Sequence, residues 1–106
     1  MHEPTFLILT ALADEPRHGY GVMQEVASLS SGRVTLRPGT LYAALDRLAG
    51  EGLVAVEREE VVDSRLRRYY HLTGAGVVAL TEQSAVLAAN ATAARRRLRK
   101  AGVSAV

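Results

Sequence analysis

The groups in this chain that could do chemistry are chiefly its arginines, tyrosines and threonines. Arg65, Arg67 and Arg68 set three guanidinium groups within four positions, and Arg95–Lys100 adds a second basic run. Guanidinium is always charged and presents a planar fork of donors that matches phosphate oxygens. Tyr20, Arg37, Thr40, Tyr42 and Arg47 supply further donors of the same kind between the first and second thirds of the chain. Hydroxyls and guanidiniums of this type meet phosphates and base edges. Competing chemistries find no support. Cysteine is absent, which removes disulfides and thiolate metal sites. The histidines, at 2, 18 and 71, are too scattered for a metal site, and His71 is expected to be exposed. No Ser and His stand at the spacing of a nucleophile pair, and Glu57, Glu59 and Glu60 fall in an extended stretch and turn. No enzyme activity, cofactor or metal is expected.

Charge is unevenly distributed. Residues 1–60 hold five basic and nine acidic side chains, whereas residues 61–106 hold eight basic and two acidic ones. The overall balance of +2 would not argue for a polyanionic partner, but focusing of the positive charge on two short segments does. A length of 106 residues is one domain's worth, and 48 % hydrophobic residues fit a folded chain. With aromatics at 5 % and no Trp, Leu, Val and Ala must fill the interior, which favours packed helices. No apolar run approaches the roughly 20 residues of a membrane span, and no basic segment precedes Phe6–Leu12 as in a signal peptide. A cytoplasmic protein without membrane contact is expected.

The elements that must position these groups follow from periodicity. Pro4 suits the first turn of a helix whose stripe is Phe6, Leu9, Leu12 and Ala13, ended by Asp14–Pro16. A second helix follows His18-Gly19, with Val22, Met23, Val26 and Ala27 inward, and Ser30–Gly32 closes it. Arg33–Leu36 could add a minor strand. From Pro38, the residues Leu41, Ala44, Leu45, Leu48 and Ala49 fall at helical spacing, so one face is apolar and Ala43, Asp46 and Arg47 stand opposite. Gly52 ends that helix. Leu53–Glu59 reads as a strand, Val61–Ser64 as a turn and Arg65–Leu72 as the return strand, with Tyr70 and Leu72 inward. Thr73 is the expected N-cap of a long last helix. Along it, Val77, Leu80, Ser84, Leu87, Ala91, Ala94 and Leu98 form a seam at alternating spacings of three and four. A helix over 74–100 would be about 40 Å long, more than three short helices can cover. The expectation is a homodimer paired through this seam, with fraying after Lys100. The fold class is mainly α with a small β-hairpin (α+β): a winged helix-turn-helix over 1–73 and a dimerisation helix over 74–106.

His18-Gly-Tyr-Gly, Gly39-Thr-Leu-Tyr-Ala-Ala-Leu-Asp-Arg-Leu, Glu51-Gly-Leu-Val and Arg68-Tyr-Tyr-His-Leu-Thr-Gly-Ala-Gly occur in register over residues 5 to about 80. Together they resemble the PadR family of bacterial transcriptional regulators, in its compact subclass with a single dimerisation helix. The resemblance implies a two-fold dimer, binding to double-stranded DNA at a pseudo-palindromic operator, and repression. It also implies release by a small hydrophobic effector. The chain departs from the family at the wing tip, Asp63-Ser-Arg-Leu-Arg in place of Gly-Arg-Pro, and at Ala43.

Several residues carry two readings. Thr40 and Tyr42 either contact DNA, or cap the helix and pack on the second helix respectively. Arg47 either reaches DNA or pairs with Asp46 or Glu51. Arg65, Arg67 and Arg68 suit phosphate or minor-groove contact, against a merely solvated turn. Arg37 and Tyr20 join the expected DNA-binding set, Tyr20 on the strength of the resemblance. Arg95–Lys100 reads as a solvated helix end favoured by the helix dipole. An effector cleft lined by Phe6, Leu9 and Leu87 stands against plain core packing of the same residues. The competing function is a winged-helix module for protein contacts alone, which would need an apolar patch where Asp46, Arg47 and Gly50 stand.

Overall fold

Pro4 and Pro38 each fall in the first turn of a helix, where a missing amide hydrogen leaves nothing unpaired. The computed structural model describes residues 1–102. In chain order the elements are α1 (Glu3–Ala11), β1 (Arg17–His18), α2 (Gly19–Leu29), α3 (Pro38–Gly50), β2 (Val54–Val62), β3 (Arg65–Leu72) and α4 (Gly74–Lys100). Of the residues expected to fray, Ala101 and Gly102 form a turn, and 103–106 lie outside the described residues.

The core joins Leu7, Ile8, Leu9, Ala11 and Leu12 to Val22 and Val26 of α2, Leu41, Leu45 and Leu48 of α3, Val54 and Tyr70. The stripe expected for α1 was too narrow. Leu7, Ile8 and Ala11 are buried besides Leu9 and Leu12, because α1 packs on both α2 and α4, whereas Phe6 is half-buried and Ala13, beyond the end of the helix, is exposed. Ala49 of α3 is likewise exposed. Arg17 fastens the end of α1: its Nε donates to the Ala11 carbonyl at 2.8 Å. Its outer nitrogen stands 3.4, 3.3 and 3.8 Å from Asp14, Glu15 and Glu25.

The minor strand expected at Arg33–Leu36 does not form. The buried Ser30 hydroxyl donates to the Val26 carbonyl at 2.8 Å and accepts from the Val34 amide at 3.0 Å. A side chain thus takes the backbone donor that a ladder would use. The third strand is instead Arg17–His18, which pairs antiparallel with Tyr70 and Tyr69 and makes β3 the central strand of the order β1-β3-β2. Val62 pairs with Arg65 across Asp63 and Ser64, whose φ angles of 51° and 63° are those of a type I′ hairpin turn. The turn is therefore tighter than Val61–Ser64. A bulge at Glu57 shifts the register between Val56 and Arg58. Toward its tip the hairpin leaves the core, so Leu66 is 58 % exposed although it shares parity with buried Tyr70.

Thr73 caps α4 by accepting the Gly76 amide at 3.0 Å, while its hydroxyl donates to the Gly52 carbonyl at 2.6 Å. Gly76 is buried hard against the Leu53 carbonyl and the Leu72 side chain, leaving no room for a Cβ. Leu80 reaches the core. From Ser84 to Lys100 every residue is exposed, and the chain extends 59 Å along its longest axis.

Since one hydroxyl serves both the wing's base and the helix start, Thr73→Ala should cost about 1–2 kcal/mol in urea unfolding, with most of it kept by Thr73→Ser. Equal stability of the alanine variant and the parent would contradict the capping role.

Candidate nucleic-acid interface

Leu41, Leu45 and Leu48 are fully buried, which turns the opposite side of α3 outward. Thr40 and Ala43 are exposed and Tyr42 is 45 % exposed. The N-cap is Arg37, whose side chain makes no capping bond, so Thr40 does not cap the helix. Thr40 stands exposed beside first-turn amides that lack intrahelical acceptors. The reading of Tyr42 as packed on α2 holds for one edge of its ring, which lies over Gly19.

A cleft of about 380 Å³ separates the start of α2 and α3 from the hairpin tip, lined by His18, Tyr20, Tyr42, Arg65, Leu66, Arg67 and Arg68. Five of the expected DNA-binding residues meet there, although 22 or more positions divide the wing from the tyrosines. Arg37 and Thr40 stand outside the lining, exposed on the first turn of α3. Arg47 is not brought to this surface. It donates to the Thr5 hydroxyl at 3.0 Å and lies 3.4 Å from Glu51, beside Met1 and His2.

The antiparallel hairpin sets Glu59 of β2 beside Arg68 of β3, while Arg58 lies among the carboxylates of its own strand. Arg68 lies 3.2 Å from Glu59, and Arg58 lies 2.9 Å from Glu60 and 3.0 Å from Glu57. The Arg58 guanidinium also stacks 4.0 Å from the centre of the Tyr69 ring. Hydrogen bonding from Arg58 holds the Glu60 carboxyl below its usual range. Arg65 and Arg67 have no carboxylate within 4.0 Å among the described residues. Exposed pairs such as Arg68–Glu59 contribute at most about 1 kcal/mol, so an incoming phosphate can displace the carboxylate.

Sequence reasoning took His18 only as the beginning of a helix. It also lines the cleft, and its Nδ1 accepts the Gly21 amide at 3.3 Å as the cap of α2. The ring meets Tyr69 edge-on at 5.3 Å. Burial, and then the positive charge of Arg67, hold its pKa below the ordinary 6.5, with Glu60 opposing. The His18-Gly-Tyr-Gly run was the available signal. His71 is half-buried rather than exposed, with Nδ1 shielded and unpartnered, because it lies on the central strand.

Elsewhere, a cleft of about 280 Å³ between α1 and α4 is lined by Met1, Glu3, Phe6, Leu7, Gln83 and Leu87. It includes Phe6 and Leu87 but not Leu9, which is fully buried in the core and cannot line an effector site. Arg95–Lys100 is exposed, with no ion pair among the described residues. No helix among them is long and apolar enough to cross a membrane.

A helix-turn-helix (α2 and α3) followed by a hairpin that flanks its second helix defines the winged-helix class. Residues 8–82 match the Transcriptional regulator PadR-like family, and the chain belongs to that family of regulators, not enzymes. Over 80 residues it is 45 % identical to Transcriptional regulator Rv3488 of Mycobacterium tuberculosis, covering 76 % of this chain and 71 % of the relative. The structure is similar to a PadR-like transcription factor from Bacteroides fragilis, with a TM-score of 0.73, 29 % identity, and 87 % and 86 % of the two chains covered. It also shares its fold with Bacillus subtilis PadR solved in complex with operator DNA (TM-score 0.66, 20 % identity, 74 % of this chain and 46 % of that one).

The lowered His18 pKa has a definite sign. The neutral ring is the capping form, so its contribution is complete above pH 6.5 and fades as pH falls through the lower folded value. His18→Asn, which caps without titrating, should lose less stability between pH 7 and 5 than the parent in urea unfolding. Parallel pH profiles would remove His18 as the titrating cap.

Proposed function

We propose that this protein is a sequence-specific DNA-binding repressor that acts as a homodimer on a pseudo-palindromic operator, in the cytoplasm, and is released by a small hydrophobic effector. The observation that carries the reading is the convergence of Tyr20, Tyr42, Arg65, Arg67 and Arg68 on one cleft beside the open first turn of α3. Family membership and a shared fold with a regulator solved on operator DNA support it.

In this reading the first turn of α3 enters the major groove, with Thr40 and Tyr42 toward base edges and phosphates and Arg37 on the flanking backbone. Arg65 and Arg67 neutralise phosphates from the wing or enter the minor groove, and Arg68 joins them by exchanging Glu59 for a phosphate. Tyr20 donates its hydroxyl to the backbone at the start of α2. Arg47 is left out, because it lies away from the cleft, beside Met1, His2 and Thr5.

The helix α4, Gly74–Lys100, serves as the dimerisation helix and residues 1–73 as the reading domain. Support comes from the seam itself: Val77, Leu87 and Leu98 remain 52, 44 and 41 % exposed, while Leu80 is already packed on the core. Ala91 and Ala94 between them permit close approach of a mate's helix. Two reading helices would then stand about 34–36 Å apart, one duplex turn. The Phe6–Leu87 cleft adjoins this seam, so a mate's helix would deepen it into a site for a small apolar effector.

The chain should shift a duplex carrying the promoter upstream of its own coding region, and failure on any promoter DNA at low salt would contradict the reading. Arg67→Ala should weaken binding alike across sequences and reduce the slope of log K against log salt by about 1 per protomer. An unaltered slope would exclude Arg67 from the phosphate contacts. Leu87→Glu with Leu98→Glu should leave a folded monomer in sedimentation equilibrium, and a persistent dimer would refute the seam.

A further inference from the structure

Gly19 and Gly21 bracket Tyr20 at the start of α2, yet their surroundings differ. A Cβ on Gly21 would meet Arg17 Cβ at 3.7 Å and the His18 ring at 3.8 Å, which is ordinary contact. A Cβ on Gly19 would instead collide with the hydroxyl, Cζ and Cε1 of Tyr42. Gly19 is buried and its φ lies outside the left-handed region, so the backbone there does not require glycine. Space does.

We infer that Gly19 is a positioning residue for DNA binding: its bare backbone is the seat for the phenol tip of Tyr42, and so sets where that hydroxyl stands in the cleft. This rests on the functional reading above and adds to it a residue that touches no DNA.

Three observations converge on it. Tyr42 projects from the outward side of α3, where the neighbouring Ala43 and Asp46 are exposed as well. The ring is 45 % exposed, so one edge is held while the rest faces the cleft shared with Tyr20 and the wing arginines. The held part is the hydroxyl end, the group that would meet a phosphate. The seat is also the first residue of α2, whose dipole favours an anion at the same place. A methyl at position 19 would push the phenol off α2 and swing its hydroxyl away from the point where Tyr20 and the wing converge. Gly39 and Gly50 of α3 face open space, so crowding of this kind is not general to the motif.

A double-mutant cycle isolates the contact, because truncating Tyr42 removes the atoms that alanine at 19 would strike. Gly19→Ala, Tyr42→Ala, the double variant and Gly21→Ala are compared by thermal unfolding and by titration with operator duplex. With Tyr42 intact, Gly19→Ala should lower Tm only slightly, by about 1–4 °C, because the struck atoms are the movable tip of an exposed side chain, and DNA affinity by about tenfold or more. In the Tyr42→Ala background the same change should leave Tm unmoved or slightly raised, since alanine suits a helix better than glycine, and alter affinity by less than about twofold. Gly21→Ala should bind within about twofold of the parent. Equal losses in both backgrounds, or no loss beside Tyr42, would overturn the proposal. If Gly19→Ala does not fold, folding of the double variant supports the seat, and its failure to fold overturns it. A parent protein that binds no DNA would sink the functional reading, while the Tm cycle would still decide whether Gly19 seats Tyr42.

Discussion

Burial of Leu41, Leu45 and Leu48 governs everything this surface can do. Each leucine removed from water stabilises the fold by about 1.5–3 kcal/mol, so turning α3 about its axis would cost several times thermal energy. One helical face is thereby locked against α2, β2 and the shared core, and Thr40, Tyr42 and Ala43 have no orientation left but outward. Tyr70, 3 % exposed, ties the base of the hairpin to the same core. The outward face of α3 and the hairpin are thus two projections from one apolar cluster, which sets their relative placement at the base.

Electrostatics then sharpen that geometry. An antiparallel hairpin that runs acidic on one strand and basic on the other would neutralise itself if every charge found a mate. Here Glu57, Glu59 and Glu60 engage Arg58 and Arg68, while Arg65 and Arg67 keep their charge at the tip and the cleft. The exposed pairs hold the side chains in place without great strength, a suitable state for exchange with phosphate. Arg47 shows the opposite outcome. It stands on the same helix as Tyr42, but its fork is taken up by Thr5 and Glu51 on the far side.

Much of this was legible in the sequence because local signals were strong. The Thr73 cap, the return strand Arg65–Leu72, the closing Ser30–Gly32 and the apolar face of α3 are matters of spacing and capping chemistry. What escaped depends on contacts between distant residues. The two-residue strand Arg17–His18 exists only because Tyr69 and Tyr70 lie beside it. The strand expected at Arg33–Leu36 yields to the Ser30 hydroxyl, which only burial makes available. Leu9 could not be told from a pocket residue until α1 was found enclosed by both α2 and α4. At the site, residue types were legible but the partition was not. Nothing local distinguishes Arg47, bound to Thr5, from Arg67, which lines the cleft. The closeness of Gly19 to Tyr42, 23 positions on, likewise needed the fold to be seen.

Amide chemical-shift mapping of the protein titrated with operator duplex tests the central claim most directly. Perturbations should concentrate at residues 18–21, 37–43 and 63–69, the start of α2, the start of α3 and the wing. Shifts confined instead to the Arg47–Thr5 side or to the exposed half of α4 would contradict the account.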